Sequence, residues 1–470
     1  MNNTCRLLLA SLGIFSAASL AVAACGGGGG SDSGNNPPAT SNGTTAPTGS
    51  TASPGRWTTQ FGTRFDDAAY GVAADSAGNL FVVGSTEGDI AGTTSAGQVD
   101  AFLRSYAPNG TARWTKQFGS PGNDIALDVA VAAGGTIYVV GQTFGTLPGQ
   151  QSQGVGSDAF LAAFDAEGNS LWTKQFGTPP TDVANGVAVD AQGNVYVVGS
   201  SEGSLPGHTN AGGPSVGGLT AWNDIFLVKF DSTGAEVWSK QFGDQRQNEG
   251  LDVAVGPNGT VYVAGYTEGQ LPGQTRGGGR DAVVRAYDAS GAELWTEQLA
   301  STGQGTQPNE KIAALAVDSA GNLYAGGSTS GVLPGLSKNE GESDIFVRKY
   351  GPDGTPLWTK MDGSDVIDEA RGISVDGNGN VVVTGVSEGG IPGGKHQGNI
   401  DAFAKAYSSS GGDLWTNQTG SSSDDQGEDV VADAAGNVYM VGRTTGVLPG
   451  QPSKQDRDMD AFVLKVEIKR

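Results

Sequence analysis

Cysteine and histidine are nearly missing from this sequence of 470 residues, which has only Cys5, Cys25, His208 and His396. Both cysteines precede Gly26, so the rest of the chain has no disulfide and no cysteine-based metal site. Two isolated histidines do not form the cluster that a transition metal needs. The sequence therefore predicts neither a metal nor any other cofactor.

Charge is also scarce: charged residues make up 16% of the chain, and the net charge is −22. A nucleic-acid partner requires a basic face, and electrostatic adhesion to anionic lipid requires basic clusters, so this charge balance argues against both. No segment has apolar spacing at the helical period over a useful length. The 78 glycines instead fit many tight turns. These features predict an all-β protein with a soluble surface.

The N-terminus has a different composition. Arg6 precedes an apolar stretch, residues 7–22, which runs into Val22-Ala23-Ala24-Cys25. This run is too short to predict a membrane-spanning helix. It resembles the lipobox of bacterial lipoproteins, in which the cysteine is acylated and becomes the first residue. The resemblance implies a signal peptide at 1–24, a lipid on Cys25 and a membrane partner; an ordinary cleaved signal peptide is the alternative.

Residues 25–56 follow as a Gly/Ser/Thr/Pro-rich segment with almost no apolar content, which predicts a flexible tether. In the lipoprotein family, Gly26 rather than Asp after the cysteine favours the outer membrane of a Gram-negative host. The expected location is therefore the bacterial cell envelope, at the outer membrane or the cell surface.

From Trp57 onward, tryptophan recurs at a near-constant interval, at Trp57, Trp114, Trp172, Trp238, Trp295, Trp358 and Trp415. A regular period of this kind indicates a repeat architecture. In the third repeat, residues 186–190, 195–199, 224–230 and 236–242 are predicted strands separated by turns. Four antiparallel strands per repeat, arranged radially, make a propeller blade.

The strand count predicts how the ring closes. The chain enters on a strand of the fourth type at 57–62 and ends on one of the third type at 460–465. The first strand would therefore complete the last blade and remove the open edges of a linear array. The prediction is a seven-bladed β-propeller, over 57–470, whose N-terminal strand completes the last blade.

Repeats such as Gly186-Val-Ala-Val-Asp190, Asn194-Val-Tyr-Val-Val-Gly199 and Leu171-Trp-Thr-Lys-Gln-Phe-Gly177 resemble the bacterial β-propeller repeat called SBBP, a relative of NHL repeats. The resemblance covers 57–470 and implies a surface or secreted propeller. The Asp-x-x-Gly-x-x-Leu-Trp hairpin also resembles the tryptophan-docking motif of quinoprotein-like propellers, although those have eight blades.

Acidic residues recur in register after most of the tryptophans, and this ring includes Asp182 and Glu310. A second ring begins each predicted third strand. Carboxylates could bind Ca²⁺, but a residue needed in every blade more often accepts backbone N–H bonds in turns. The sequence therefore predicts no metal site, and no acid, base and nucleophile converge to predict a catalytic one.

Blades differ mainly in two connections. The spacing from the glycine of the second strand to the aspartate of the third is nearly constant, except in blade 3, where Gly199 and Asp224 stand further apart. The spacing from the tryptophan to the acidic ring is constant, except for a longer interval between Trp295 and Glu310. Loops on rigid scaffolds carry function. We predict that one patch around blade 4 holds the candidate binding residues Asp182, His208, Trp222, Gln304, Gln307 and Glu310.

The sequence thus favours a lipid-anchored, exported propeller that acts as a non-enzymatic binding or scaffold module. Its expected partner at the loop-rich face is a protein or a glycan. Two alternatives stay open: a lyase or hydrolase that uses His208 or His396, and a carbohydrate-binding surface protein that uses Trp222 as a stacking platform.

Overall fold

The computed structural model describes residues 55–90, 92–212, 222–301, 308–337, 339–452 and 458–467. All of these belong to the compact unit Ala52–Arg470. Cys25, the predicted signal peptide (1–24) and nearly all of the predicted tether (25–56) lie outside the described residues, as do Gln304 and Gln307. The described residues form seven four-stranded antiparallel sheets, so the predicted seven-bladed propeller is confirmed.

Each blade runs from an innermost strand a to an outermost strand d. Blades 1 to 3 contain β2 (Asp67–Ala74), β3 (Leu80–Thr86), β4 (Asp100–Tyr106), β5 (Ala112–Phe118), β6 (Asp124–Val131), β7 (Ile137–Thr143), β8 (Asp158–Phe164), β9 (Ser170–Phe176), β10 (Asp182–Val189), β11 (Val195–Ser201), β12 (Asp224–Phe230) and β13 (Glu236–Phe242).

Blades 4 to 6 contain β14 (Asn248–Val255), β15 (Val261–Thr267), β16 (Asp281–Tyr287), β17 (Glu293–Leu299), β18 (Glu310–Val317), β19 (Leu323–Thr329), β20 (Asp344–Tyr350), β21 (Pro356–Asp362), β22 (Asp368–Val375), β23 (Val381–Ser387), β24 (Asp401–Tyr407) and β25 (Asp413–Thr419). Blade 7 contains β26 (Asp425–Ala432), β27 (Val438–Thr444), β28 (Asp460–Lys465) and, as its outermost strand, β1 (Thr58–Phe61).

The ring closes through β1, which pairs antiparallel with β28 from Thr58 opposite Leu464 to Phe61 opposite Ala461. Each a strand contacts the a strands of both neighbouring blades. The N-terminal strand therefore completes the last blade, as the strand count predicted.

One strand start differs from the sequence-based assignment. The a strand of blade 3 was expected at 186–190, whereas β10 begins at Asp182. The pairing of β10 with β11 shifts register between Ala184 and Gly186, which leaves Asn185 as a bulged residue. A bulge places two residues opposite one and interrupts the period-2 alternation on which the assignment depended.

The recurrent tryptophans pack between blades. The ring of Trp57, on blade 7, lies 6.2 Å from that of Tyr106 on blade 1, and its Nε1 donates a hydrogen bond to the Pro108 carbonyl at 3.2 Å. Gly110 lies against this ring: a Cβ at Gly110 would be 2.5 Å from the indole, and its φ is +84°. Glycine is therefore required there by both conformation and space. The same contact recurs at the c–d turns of blades 2 to 6, where a glycine lies against the tryptophan of the preceding blade.

Candidate binding face

The two faces of the propeller are built differently. On one face, turns of a single length join strands a and b in every blade and strands c and d in blades 1 to 6, and we call it the short-turn face. The opposite, loop-bearing face carries the b–c loops and the d–a connections. There the b–c loop of blade 3, residues 202–223, is longer than that of any other blade. The d–a connection that enters blade 5, residues 300–309, is likewise longer than the other d–a connections.

Asp182 and Glu310 lie beneath the loop-bearing face, 0% and 1% exposed. Asp182 accepts hydrogen bonds from the backbone N–H of Thr178 at 2.6 Å and from its hydroxyl at 3.0 Å. Burial raises the pKa of Asp182 to about 7. Glu310 accepts a hydrogen bond from the Ser301 hydroxyl at 2.7 Å, across the longer connection. Both side chains hold their d–a connections in place and expose almost no surface to a ligand.

The second acidic ring holds the b–c loops. The Gln175 amide, from the Trp-Thr-Lys-Gln run, donates hydrogen bonds to Asp158 at 2.6 Å and to the Gly145 carbonyl at 2.8 Å. Its oxygen accepts the N–H of Leu147 at 2.9 Å. The Trp-x-x-Gln run therefore fixes the start of a Gly-x-Leu-Pro-Gly loop. Blade 5 departs from this pattern because Met361 occupies the glutamine position.

The two histidines lie in different blades. His208 Nε2 is 3.2 Å from the Ser239 hydroxyl of blade 3. This is the register position of Gln150 and Gln274, which also contact their own d strands. His396 Nδ1 is 3.1 Å from the Asp401 carboxylate of blade 6. Each histidine therefore contacts its own blade, and the structure does not bring the two together.

Trp222 is the exposed aromatic of the longest b–c loop, with 45% of its surface accessible. Its carbonyl accepts a hydrogen bond from the Asn210 amide at 3.2 Å, and Gly212 lies against its Cβ. Residues 302–307, the centre of the other insertion, lie outside the described residues. The patch that would join this insertion to His208 and Trp222 around blade 4 stays a prediction.

The blades also differ in the side chains of their a strands, which surround the central axis. Loop lengths give no sign of this second difference. The second residue of each a strand is uncharged in blades 1 to 3 and polar or charged in blades 4 to 7: Ala68, Ile125, Val183, Glu249, Lys311, Glu369 and Gln426. The bulged residue is uncharged as far as blade 5 and charged in blades 6 and 7: Tyr70, Leu127, Asn185, Leu251, Ala313, Arg371 and Glu428. Both positions lie near the loop-bearing face. We call the ring of seven a strands around the central axis (β2, β6, β10, β14, β18, β22 and β26) the axial wall.

The charged residues of blades 5 to 7 form a linked set of ion pairs. Lys311 Nζ is 3.2 Å from Glu369. Arg371 and Arg443 lie 2.6 Å and 3.0 Å from the same oxygen of Glu428. These side chains are mostly buried, so water screens the pairs less than it would at the surface. The ion pairs join the a strands of blades 5 to 7, which form this part of the axial wall.

Three further carboxylates lie after the bulge, at Asp128, Asp252 and Asp429 of blades 2, 4 and 7. Asp128 accepts the N–H of Val187, on the next blade, at 2.8 Å, and the other two make equivalent bonds to Leu315 and Val72. Burial raises the pKa of Asp128 to about 6. Burial and then repulsion from Asp128 raise the pKa of both Asp252 and Asp429. Each of these carboxylates therefore links two neighbouring blades by a hydrogen bond, and we call Asp128, Asp252 and Asp429 the latch residues.

The sequence contains a signal for these latches. At the latch position, blades 1, 3 and 6 have Gly71, Gly186 and Gly372, and each lies against the aspartate of the following blade. Along blades 1 to 7 this position holds Gly, Asp, Gly, Asp, Ala, Gly and Asp, with Ala314 in blade 5. This pattern could have been recognised from the repeat alignment alone. Among the described residues, no group of three or more His, Cys, Asp or Glu side chains is arranged to hold a metal ion. No helix in the described ranges is both long and apolar enough to span a bilayer.

A model of the SBBP beta-propeller repeat matches residues 56–91, 171–206 and 414–449. The regulatory protein FlaEY of Caulobacter vibrioides is 29% identical over 214 residues, 43% of this chain and 21% of that protein. An uncharacterized WD repeat-containing protein of Acanthamoeba polyphaga mimivirus is 21% identical over 440 residues, 74% of this chain and 31% of that protein. The chain thus spans less than a third of the length of either relative.

Two solved structures also match this chain. The WD40 domain of Neurospora crassa Pan2 has a TM-score of 0.44 at 9% identity and covers 86% of this chain and 91% of its own. A virginiamycin B lyase from Staphylococcus aureus has a TM-score of 0.46 at 9% identity, covering 88% of this chain and 100% of its own. Similarity at this level assigns no function. This chain is a seven-bladed β-propeller in which three segments match the SBBP beta-propeller repeat.

Proposed function

We propose that this protein is a non-enzymatic binding module, anchored to the bacterial cell envelope by a lipid on Cys25, that engages its partner through the loop-bearing face. Propeller repeats with WD-repeat-like relatives support a binding or scaffold role. The observation that carries the proposal is the contrast between the faces. Turn lengths are uniform on one face, and every change in length falls on the other.

The chain enters the propeller on the face opposite the proposed binding face. Strand β1 runs from the short-turn face towards the loop-bearing face, and Trp57 contacts the c–d turn of blade 1 through Pro108. The polypeptide therefore enters the propeller at the short-turn face.

An enzyme that depends on the loop histidines is less well supported. General acid–base chemistry needs groups that converge on one substrate. His208 and His396 instead contact groups of their own blades, and those blades are 3 and 6.

Two experiments test the parts of the proposal separately. Cys25→Ser should release the protein from membranes into the soluble fraction, because the acyl chains are lost. Unchanged fractionation, together with the absence of an acyl mass on the parent protein, would show that no lipid anchor exists.

The binding face is tested by photo-crosslinking on intact cells, with a photo-reactive amino acid in place of Thr209 or of Ser232. Both positions are exposed and belong to blade 3, but Thr209 lies on the loop-bearing face and Ser232 on the short-turn face. We expect crosslinked products from position 209 and not from position 232. The reverse pattern would reject the loop-bearing face as the binding surface.

A further inference from the structure

Blades 2 and 3 carry a charge-poor region on the loop-bearing face. We define the uncharged sector as residues 119–123, 144–157, 177–181, 202–212 and 222–223. Within these ranges Glu202 is the single Asp, Glu, Lys or Arg. The b–c loop of blade 4, in contrast, carries Glu268, Arg276 and Arg280. In a chain with a net charge of −22, a sector that spans two blades with one charge is a distinct surface.

The segments of the uncharged sector touch one another. Gly154 of the blade 2 loop lies against Pro179, and Gly156 lies against Thr181, in the connection that enters blade 3. Gly203 then packs against Thr178, and the loop continues to Trp222 through its contact with Gly212. The axial wall below adds Ile125, Leu127, Val183 and Asn185, which carry no charge. The sector is therefore one continuous surface and not a set of separate loops.

Aromatic and amide side chains stand exposed on this surface. Phe144 is 43% exposed, Trp222 45% and Val155 82%. Gln151 and Gln153 are exposed on the same loop as Val155. Among the described residues of the sector, Val155 has a glycine on each side and Trp222 is followed by Asn223. These neighbours do not form the dense apolar cluster found at the core of a protein interface.

This combination matches the chemistry of an uncharged sugar. Trp and Phe offer flat apolar faces that suit the C–H face of a pyranose ring. Each glutamine amide both donates and accepts hydrogen bonds, as a sugar hydroxyl does. A ligand without charge also loses nothing by binding where no ion pair is available. We propose that the uncharged sector binds a neutral polysaccharide, with Trp222 and Phe144 as the stacking residues; this inference rests on the proposed function and names its ligand class.

The test is retention of the full chain by immobilised neutral polysaccharides (starch, β-glucan, mannan and galactomannan), with alginate and polygalacturonate as anionic comparisons. At least one neutral polysaccharide should retain the protein, equally well from about 0.05 M to about 0.5 M salt, because screening does not affect an uncharged ligand. Trp222→Ala should weaken retention roughly tenfold and Phe144→Ala roughly threefold, the range that aromatic contacts cover.

Two variants separate stacking from folding. Leu294→Ala removes a side chain that is 51% exposed on the outermost strand of blade 4 and should change retention less than roughly twofold, since a single exposed residue away from the site contributes little. Trp222→Phe should keep most of the binding, because an aromatic face remains. If Trp222→Ala lowers the melting temperature, Phe144→Ala and Trp222→Phe still decide the question.

The proposal is overturned if no neutral polysaccharide retains the protein, if retention is restricted to the anionic polymers and lost in salt, or if Trp222→Ala and Phe144→Ala both bind as the parent does. Crosslinking of a protein partner from position 209 without polysaccharide retention would leave the proposed function intact and reject this inference alone. Crosslinking from position 232 without polysaccharide retention would reject both.

Discussion

The short-turn face and the loop-bearing face are made by the same strands under different constraints. On the short-turn face the c–d turns pack against the tryptophan of the preceding blade, as Gly110 packs against Trp57. A change of length there would disturb the contact between two blades. On the loop-bearing face, hydrogen bonds such as those of Gln175 fix the first part of the b–c loop. The length of the loop beyond that point differs from blade to blade. The comparison teaches that what every blade shares holds the ring together, and that what differs is available for binding.

The largest loss of stability is expected from removing β1, the strand that closes the ring. Deletion of residues 57–61 leaves β28 with an open edge and removes Trp57, which packs on Tyr106 and Tyr439. Loss of a fully buried tryptophan costs about 3–5 kcal/mol, and the half-buried Trp57 contributes less than that. The open edge of β28 adds to this loss, against a total stability of about 5–15 kcal/mol. We expect aggregation or loss of cooperative melting in calorimetry. A truncated protein that melts at the parental temperature would show that the ring does not depend on this closure.

A matched pair of glycines sharpens the contrast between the faces. Gly110, on the short-turn face, and Gly149, on the loop-bearing face, both have positive φ, at +84° and +74°. A Cβ at Gly110 would collide with Trp57, whereas nothing lies within 4 Å of one at Gly149. Gly110→Ala should therefore cost about 2–5 kcal/mol from strain and overpacking together, and Gly149→Ala only about 1–2 kcal/mol from strain. Equal losses in denaturant unfolding would show that the packing of Gly110 against Trp57 adds no constraint to this short turn.

The latch residues predict a smaller, pH-dependent effect. Burial raises the pKa of Asp128 from 3.8 to about 6, so the folded protein holds this proton more tightly than the unfolded chain does. The free energy of unfolding should therefore fall as the pH rises from about 4 to about 6, by about 1–3 kcal/mol for this residue. Asp128→Asn should flatten that part of the profile, measured by urea unfolding at each pH. Leu294→Ala, which removes an exposed side chain without a titratable group, serves as the control and should keep the parental slope. A parental slope in Asp128→Asn would show that its proton is not linked to folding.

Much of the fold could be predicted because each blade repeats the same local chemistry. The positions of Trp57 and Asp460 within the repeat were enough to predict closure, since a strand of the fourth type and one of the third type have no other partners. The predicted strand 224–230 coincides with β12. The start of β10 was missed because the bulge at Asn185 interrupts alternation.

The site could be predicted only in part. Loop lengths point to the loop-bearing face, and Trp222 stands out because it breaks the repeat. The sequence alone does not predict that the axial wall has an uncharged part and a charged part. Contacts such as that of Arg371 with Glu428 join residues on neighbouring blades and depend on the closed ring. Asp182 was proposed as a binding residue from its register, and only its burial shows that its carboxylate serves the blade.

The most direct test of the central claim is amide hydrogen exchange of the full chain with and without the ligand that crosslinking or polysaccharide retention identifies. Bound ligand slows exchange where it covers or orders the backbone. We predict slower exchange in 144–157 and 202–212, with no change in the turns at 75–79, 132–136 and 190–194. Slower exchange confined to those turns would contradict the assignment of the loop-bearing face as the binding surface.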